Sequence, residues 1–550
     1  MCAPNSRRRF LATAAASAAG ATLAPHQALA NLLIKSLLRT SQAEASGLIS
    51  PRYYLNIFLT GGPPRWQFDH WLKTSPAEPD VIPTSYTASA FKWNSTTRQI
   101  TGFENKTSLY NGVLVPHLFE TLGAEGKKAL LDSMLVIRGY GSKVDGHGTN
   151  ANLQVYPLAG APTISGLVAA RSDRSFEAIQ FPSRIGFPFA ADKSIGVNGL
   201  NSANPIEELL KPVSNPTNKP RAIRVANKEI FDNLRAQLNT IPDASKAVDI
   251  AKSSLNNSYK LLEGNWGDLT TTWATLLNDY ETVIHNACRS MNVPHVNATP
   301  EGQPLQAISD ESPVYYYEPS GVKTMLEKGK NLITMTTNMS IANAAANFAL
   351  AEFCITNNLA SVLEMNLGRT EDLKLDPNAA YSASNSFEQG GDMHGTGGYT
   401  AAYTMSLYYR GVMAGLLLFR DRLMAAGKWN NTVVQFLSEF DRTSYTGGGG
   451  SGHGFQQMIS SVISGAITGG PYVVGNISKL PQQGEGTQGL GLPIDNYISN
   501  EMPTAATMAS TVTAILAVDR NPWKNIAPPL VSLNGNGTLN YLYGKGKLIG

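Results

Sequence analysis

The stretch TVVQFLSEFDRTSYTGGGGSGHGF, residues 432–455, joins an apolar run to a group of polar side chains. Its start, 432–437, predicts a buried β-strand, because near-continuous apolar strands are typical of sheets covered on both faces. Glu439 and Arg442 follow this strand directly, and His453 comes after four consecutive glycines. Glycine lets a backbone approach a ligand closely and adopt positive φ. The stretch therefore predicts a strand that delivers functional side chains at its carboxyl end.

Three further apolar runs predict strands of the same sheet, at residues 53–60, 133–138 and 360–367. Residues 342–356 have a helical composition. A longer helix ending before Gly427 is predicted by a stripe of apolar residues: Met405, Tyr409, Val412, Leu416, Phe419 and Leu423. Helices that alternate with apolar strands predict an α/β fold, with a sheet that carries helices on both faces.

The middle of the chain differs from its two flanks, because a helical stripe replaces the apolar strands there. The stripe consists of Trp273, Leu277, Tyr280, Ile284, Ala287 and Met291. We therefore predict five segments: a signal peptide at 1–30, a linker at 31–50, the first part of an α/β core at 51–204, a largely helical insertion or cap at 205–345, and the second part of the core at 346–550.

The N-terminus has the pattern of an export signal. Arg7, Arg8 and Arg9 precede Phe-Leu and an Ala/Gly-rich apolar stretch, which ends in Ala28-Leu29-Ala30. A basic start, a short apolar region and a small-x-small site are typical of a signal peptide. Paired arginines indicate the twin-arginine export machinery as a partner. We expect a bacterial protein that is periplasmic or secreted.

The charge balance changes when the signal is removed. Three of the 44 basic residues leave with it and no acidic residue does, so 41 basic face 41 acidic residues. A balanced chain has no general electrostatic reason to bind nucleic acid or anionic lipid. No run of about 18 or more apolar residues follows the signal, so we predict no membrane span in the mature chain.

The cysteines allow two interpretations. Cys2 leaves with the signal, and Cys288 and Cys354 remain. They could pair in an oxidising compartment, but two cysteines make no disulfide framework in a chain of this size. Two buried thiols are the favoured prediction.

Polar residues gather where the predicted strands end. Four of the eight histidines lie there, each with a carboxylate on a glycine-containing loop: Asp69 and His70, Asp145 and His147, Asp392 and His394, and Glu439 and His453. In open α/β sheets, ligands bind beyond the carboxyl ends of the strands. Carboxylates and imidazoles that converge there suit a divalent metal such as zinc, or a mixed oxygen/nitrogen site. We therefore predict a divalent metal cofactor, which is zinc, magnesium or calcium.

A structural interpretation remains open for each of these residues. A single histidine is more often a loop cap or a hydrogen-bonded core residue than a ligand. Glu439 and Arg442 could equally form a structural ion pair. Only the joint placement at four strand ends favours a functional site.

These motifs resemble a known family. The strand followed by SEFDR, glycines and GHG, with DMH upstream, is similar to the bacterial secreted family called domain of unknown function 1501. Its members carry Ser-Glu-Phe-Gly-Arg, then Asp-His-Gly, with Asp-Thr-His upstream and Gly-Gly-Pro after the first strand. The resemblance extends to LVIRGYGSKVDGHG (135–148) and PTISGLVA (162–169). It spans most of Tyr53–Ala170 and Ala342–Gly475.

The resemblance implies a fold and an activity. The family is grouped with alkaline phosphatase-like and sulfatase-like proteins, which are α/β proteins that hydrolyse phosphate or sulfate esters at a metal site. By this resemblance Asp392 and His394 match the middle Asp…His pair, Glu439 and Phe440 match the Asp-His pair, and His453 matches the last histidine.

The sequence also departs from the family pattern. Phe440 cannot bind a metal, and Gly452 stands where the family has an aspartate. The aspartate expected after the first strand falls on Gln67 or is shifted to Asp69, and no serine or threonine stands out as a nucleophile.

Two functions follow. The first is a metal-dependent ester hydrolase, with Asp69, Asp392, His394, Glu439 and His453 as metal ligands, and with Glu439 as base and Arg442 holding substrate oxygens as the catalytic candidates. The second is a non-catalytic binding scaffold. A metal site requires the donor atoms of Asp392, His394, Glu439 and His453 to lie within about 5–6 Å of one point.

Overall fold

The computed structural model describes part of the chain, namely residues 52–70, 72, 91–94, 99–103, 107–142, 144–172, 174, 176–182, 186, 188–190, 194–201, 203–214, 236, 266–289, 336, 338–341, 343–367, 373–374, 398–442, 453–477, 491–498, 501–518 and 520–544.

Its strands are β1 (Tyr53–Leu59), β2 (Phe91–Asn94), β3 (Gln99–Phe103), β4 (Thr107–Tyr110), β5 (Val113–Pro116), β6 (Met134–Tyr140), β7 (Phe176–Phe181), β8 (Val197–Gly199), β9 (Ser340–Ile341), β10 (Ala360–Leu367), β11 (Leu373–Lys374), β12 (Thr432–Ser438), β13 (Asp441–Arg442), β14 (His453–Gly454), β15 (Met458–Ser464), β16 (Tyr472–Val474), β17 (Val531–Leu533) and β18 (Leu539–Tyr541). Its α-helices are α1 (Gly123–Leu131), α2 (His147–Val155), α3 (Ile164–Ala169), α4 (Pro205–Ser214), α5 (Trp266–Cys288), α6 (Ala344–Thr356), α7 (Gly398–Ala425) and α8 (Ala505–Leu516).

An eight-stranded sheet organises the fold, with the strand order β16-β6-β15-β12-β1-β10-β7-β8. All neighbouring pairs are parallel except the two that involve β15. The carboxyl ends of β1, β6 and β12 therefore lie at one edge of the sheet, together with the amino end of β15. This mostly parallel sheet confirms the predicted α/β class.

Both faces of the sheet are covered. Every residue of β1, β6, β10 and β12 is buried. On one face, the amide of Gln435 contacts Met508 of α8. On the other face, Phe436 packs against Phe68, which stacks on Tyr409 of α7. Adjacent residues of a strand point to opposite faces, so a strand covered on both sides is apolar along nearly its whole length.

The long helix α7 was predicted well. All six residues of its predicted stripe are buried. The chain leaves the helix through Gly427, whose φ of 67° and backbone bond to Met424 are typical of a C-terminal glycine cap.

The chain forms two compact units: 1–50 with 204–272, and 51–203 with 273–550. In the first unit α4 begins after Asn204, whose side chain accepts a hydrogen bond from the Glu207 amide. The second unit holds the large sheet. The boundary between the two units falls inside α5, and the insertion at 205–345 stays a prediction.

Other predictions concern the cysteines and the termini. Cys288 and Cys354 are free and buried, which confirms the favoured prediction. Burial raises the pKa of the Cys288 thiol to about 12.

No helix among the described residues is long and apolar enough to cross a membrane. The predicted signal peptide and linker, 1–50, lie outside the described residues.

Candidate functional site

The segment after β12 meets the segment after β6 at the carboxyl edge of the sheet. His147 is the first residue of α2, and its Nδ1 lies 2.5 Å from Oε2 of Glu439. The Glu439 side chain is almost fully buried, while 38% of the His147 side chain is exposed. A buried carboxylate thus orients a histidine that solvent reaches.

A second carboxylate–histidine pair lies beside the first. Nδ1 of His453, in β14, is 2.6 Å from Oδ1 of Asp145, in the loop before α2. Here the carboxylate is the exposed member, with 63% of the Asp145 side chain accessible. His453 is therefore bonded to the segment that follows a different strand, β6.

The two imidazoles touch each other and share an aromatic neighbour. The ring centroids of His147 and His453 are 4.8 Å apart, with the rings nearly perpendicular. Phe440 stacks on His453 at 4.1 Å and meets the edge of His147 at 4.8 Å. Burial, together with the charges of Arg442 and His147, outweighs Asp145 and lowers the pKa of His453. A His453 ring that stays neutral at neutral pH can bind a metal or accept a proton.

A third pair lies deeper at the same edge. Asp441 is fully buried and bonds His70 at Nδ1 over 2.6 Å. The other oxygen of Asp441 accepts the backbone amides of Arg442 and Arg65. Asp441 therefore ties the loop after β1 to the segment after β12.

Asp69 belongs to a buried ion pair. Its carboxylate accepts two hydrogen bonds from Arg65, one of them at 2.7 Å, and one from the Ser461 hydroxyl. Burial alone lowers the pKa of Arg65, but the charge and hydrogen bonds of Asp69, with help from Asp441, raise it overall. The guanidinium is therefore permanently charged, and it holds this carboxylate.

Arg442 is also fully buried, and it binds backbone. Its Nε and one Nη donate to the carbonyls of Gly62 and Gly61, each at 2.8 Å. Its guanidinium lies 4.9 Å from the centre of the Phe440 ring. Gly62 has a φ of 59°, and a Cβ there would come within 2.5 Å of Phe440. Only glycine fits this contact.

The predicted site residues can now be located. Glu439 and His453 lie together at the sheet edge, each bonded to a residue of the segment after β6. Asp69 lies in the buried ion pair with Arg65, and the Arg442 guanidinium lies against the Phe440 ring. Asp392 and His394 fall outside the described residues, so the expected common point is untested. Within the described ranges, no three His, Cys, Asp or Glu side chains are grouped so as to hold a metal.

Sequence reasoning noted Asp145 and His147 as strand-end residues but assigned them no role, and it missed Asp441. The i, i+2 spacing of Glu439 and Asp441 in an extended segment was the available signal, because such residues point the same way. The histidine partner of each carboxylate could not be inferred from local spacing.

A scan against protein-family models found no match for the chain, and a search of curated proteins found none either.

Proposed function

We propose that the chain is an exported, metal-dependent hydrolase of phosphate or sulfate esters with an alkaline phosphatase-like fold. One observation carries the proposal: three strand ends of a mostly parallel sheet bring carboxylate–histidine pairs to one edge, and two of these pairs are in contact. Sites at this edge are the rule in open α/β sheets.

The donor set fits a metal in part. In histidines that bind a metal through one ring nitrogen, the N–H of the other commonly donates a hydrogen bond to a carboxylate. His147 and His453 each have a carboxylate oxygen at Nδ1. Asp69 fits less well, because Arg65 already neutralises it. His453, Asp392 and His394 remain the predicted ligands, whereas Glu439, also predicted as a ligand, is already hydrogen-bonded to His147. When bound, a divalent ion would supply Lewis acidity for the ester oxygen and lower the pKa of a bound water.

Phe440, Arg442 and His147 shape the site around the predicted metal ligands. Phe440 presents an apolar wall beside the two imidazoles, which limits water there. Arg442 packs on the Phe440 ring and donates hydrogen bonds to the carbonyls of Gly61 and Gly62. We therefore assign it the role of positioning Phe440 in preference to substrate binding. The exposed edge of His147 is where an ester would approach.

The test combines metal analysis with hydrolysis assays on the untagged exported protein. We expect a bound divalent metal and turnover of nitrophenyl phosphate or sulfate esters, which chelation abolishes and metal restores. His453→Gln should lose turnover, whereas His285→Gln on α5 should retain it. Less than about 0.2 equivalents of metal, with none taken up on titration, would favour the binding scaffold.

Export is a separate proposal, supported by the paired arginines alone. Replacing Arg7 and Arg8 with lysine should leave the precursor in the cytoplasm, because the twin-arginine machinery reads both side chains. Fractionation with a blot for the chain measures this. A normal periplasmic yield from the double variant would remove the localisation.

A further inference from the structure

We propose that His147 and His453 together bind one imidazole-preferring divalent ion, of the zinc, cobalt or nickel class, through their Nε2 atoms. This inference deepens the proposed function. It adds His147 to the metal site, and it gives Glu439 the task of orienting His147 in place of binding metal itself.

The hydrogen bonds select the coordinating nitrogen. Each ring has a carboxylate oxygen at Nδ1: Glu439 for His147 and Asp145 for His453. A carboxylate at Nδ1 fixes the tautomer with the proton on that nitrogen, so the lone pair lies on Nε2. Two neighbouring histidines that both have a carboxylate at Nδ1 and a lone pair on Nε2 indicate a shared metal ion.

The spacing of the rings fits one ion. With metal–nitrogen distances near 2.0–2.1 Å, two imidazoles on one tetrahedral ion have ring centroids about 5 Å apart. The centroids of His147 and His453 are 4.8 Å apart, with an interplanar angle of 82°. An aromatic contact between the two rings would explain their spacing, but it would not explain why each ring has a carboxylate at its Nδ1 atom.

The same arrangement discriminates between metals. Imidazole nitrogen suits zinc, cobalt and nickel, whereas magnesium and calcium prefer oxygen ligands. Phe440 packs against both rings and offers no donor atom. The pair therefore favours the first group of ions over the second.

Cobalt(II) supplies a readout that does not depend on activity. Added to the untagged, chelator-treated mature chain, Co²⁺ should give visible absorption bands, and excess Mg²⁺ or Ca²⁺ should not displace it. His147→Gln and His453→Gln should each abolish the bands, and His285→Gln should leave them unchanged. Glu439→Gln should weaken Co²⁺ binding about 10–100-fold, as expected for a residue that orients a ligand.

Each outcome is decisive once thermal unfolding has shown that the variants fold. His147→Gln that binds Co²⁺ like the parent chain overturns the inference, even if the chain hydrolyses esters. Displacement of Co²⁺ by Mg²⁺ also overturns it. Tight Co²⁺ binding that requires both histidines, without any hydrolysis, supports the inference and counts against the proposed function.

Discussion

Single side chains at the sheet edge do different work although they lie close together in sequence. Glu439 orients a solvent-accessible histidine, whereas Asp441, two residues later, ties two loops together from a fully buried position. Asp69 neutralises Arg65. Which carboxylate has a structural role and which a functional one can be tested by measuring stability separately from metal binding.

Asp69→Asn tests the structural role. Removing one partner of a buried ion pair leaves the other charge uncompensated, so the free energy of unfolding should fall by about 3–5 kcal/mol. Urea unfolding measures it. Asp421→Asn, in the exposed pair with Arg420, should change it by about 0.5 kcal/mol or less. Unchanged stability together with lost metal would instead make Asp69 a ligand.

Among the secondary-structure elements, helices α5 and α7 pack closely against each other. Gly411 and Gly415 of α7 lie one turn apart, and both face Ile284 of α5. The α5 helix is also linked to α7 by the ion pair between Asp279 and Arg422. The small residues let the two helix backbones approach each other.

Gly411→Ala should destabilise this crossing. The added Cβ would lie 2.9 Å from Ile341 Cδ1 and 3.0 Å from Cys288 Cβ. Overpacking of this kind costs about 1–3 kcal/mol. Replacing glycine with alanine in a helix gains about 1 kcal/mol of helix propensity, which the upper part of that cost exceeds. Gly148→Ala, on α2 with nothing within 4 Å of its Cβ, should be neutral or stabilising by up to about 1 kcal/mol. Thermal unfolding of both variants checks the contrast, and equal effects would contradict the close approach.

For the whole molecule, the sheet contains a row of buried polar residues under α3 and α8. Gln180, Glu364, Asn56 and Gln435 occupy paired positions on four neighbouring strands. Burial raises the pKa of Glu364, although hydrogen bonds from Gln180 and Ser165 partly oppose the rise. The carboxyl group therefore keeps its proton to a higher pH in the folded state than in the unfolded chain.

This shift makes global stability depend on pH. Because the folded pKa of Glu364 is raised, its contribution is complete below the unfolded pKa of about 4.3 and is lost as pH rises through the folded value. Glu364→Gln keeps a neutral side chain, so its free energy of unfolding, relative to the parent chain, should increase with pH over that window. Chemical unfolding at several pH values measures this, with the exposed Glu125→Gln as control. A pH-independent difference would refute the shift.

The amino-acid sequence by itself determined the strands and the long helix. Apolar periodicity is local: the runs that became β1, β6, β10 and β12, and the stripe on α7, were visible without any partner. It also placed Glu439 and His453 near a strand end, because strand boundaries follow from the glycines and polar residues that close each run.

Tertiary structure alone decided which groups meet. Glu439 and His147 are 292 residues apart, and His453 and Asp145 are 308 apart. Their pairing depends on the strand order, in which the antiparallel β15 lies between β6 and β12. That order results from packing both faces of the sheet over long sequence separations, which local periodicity does not encode. The same packing decides that Asp69, which pairs locally with Arg65, also meets Ser461, and that His147 lies against His453.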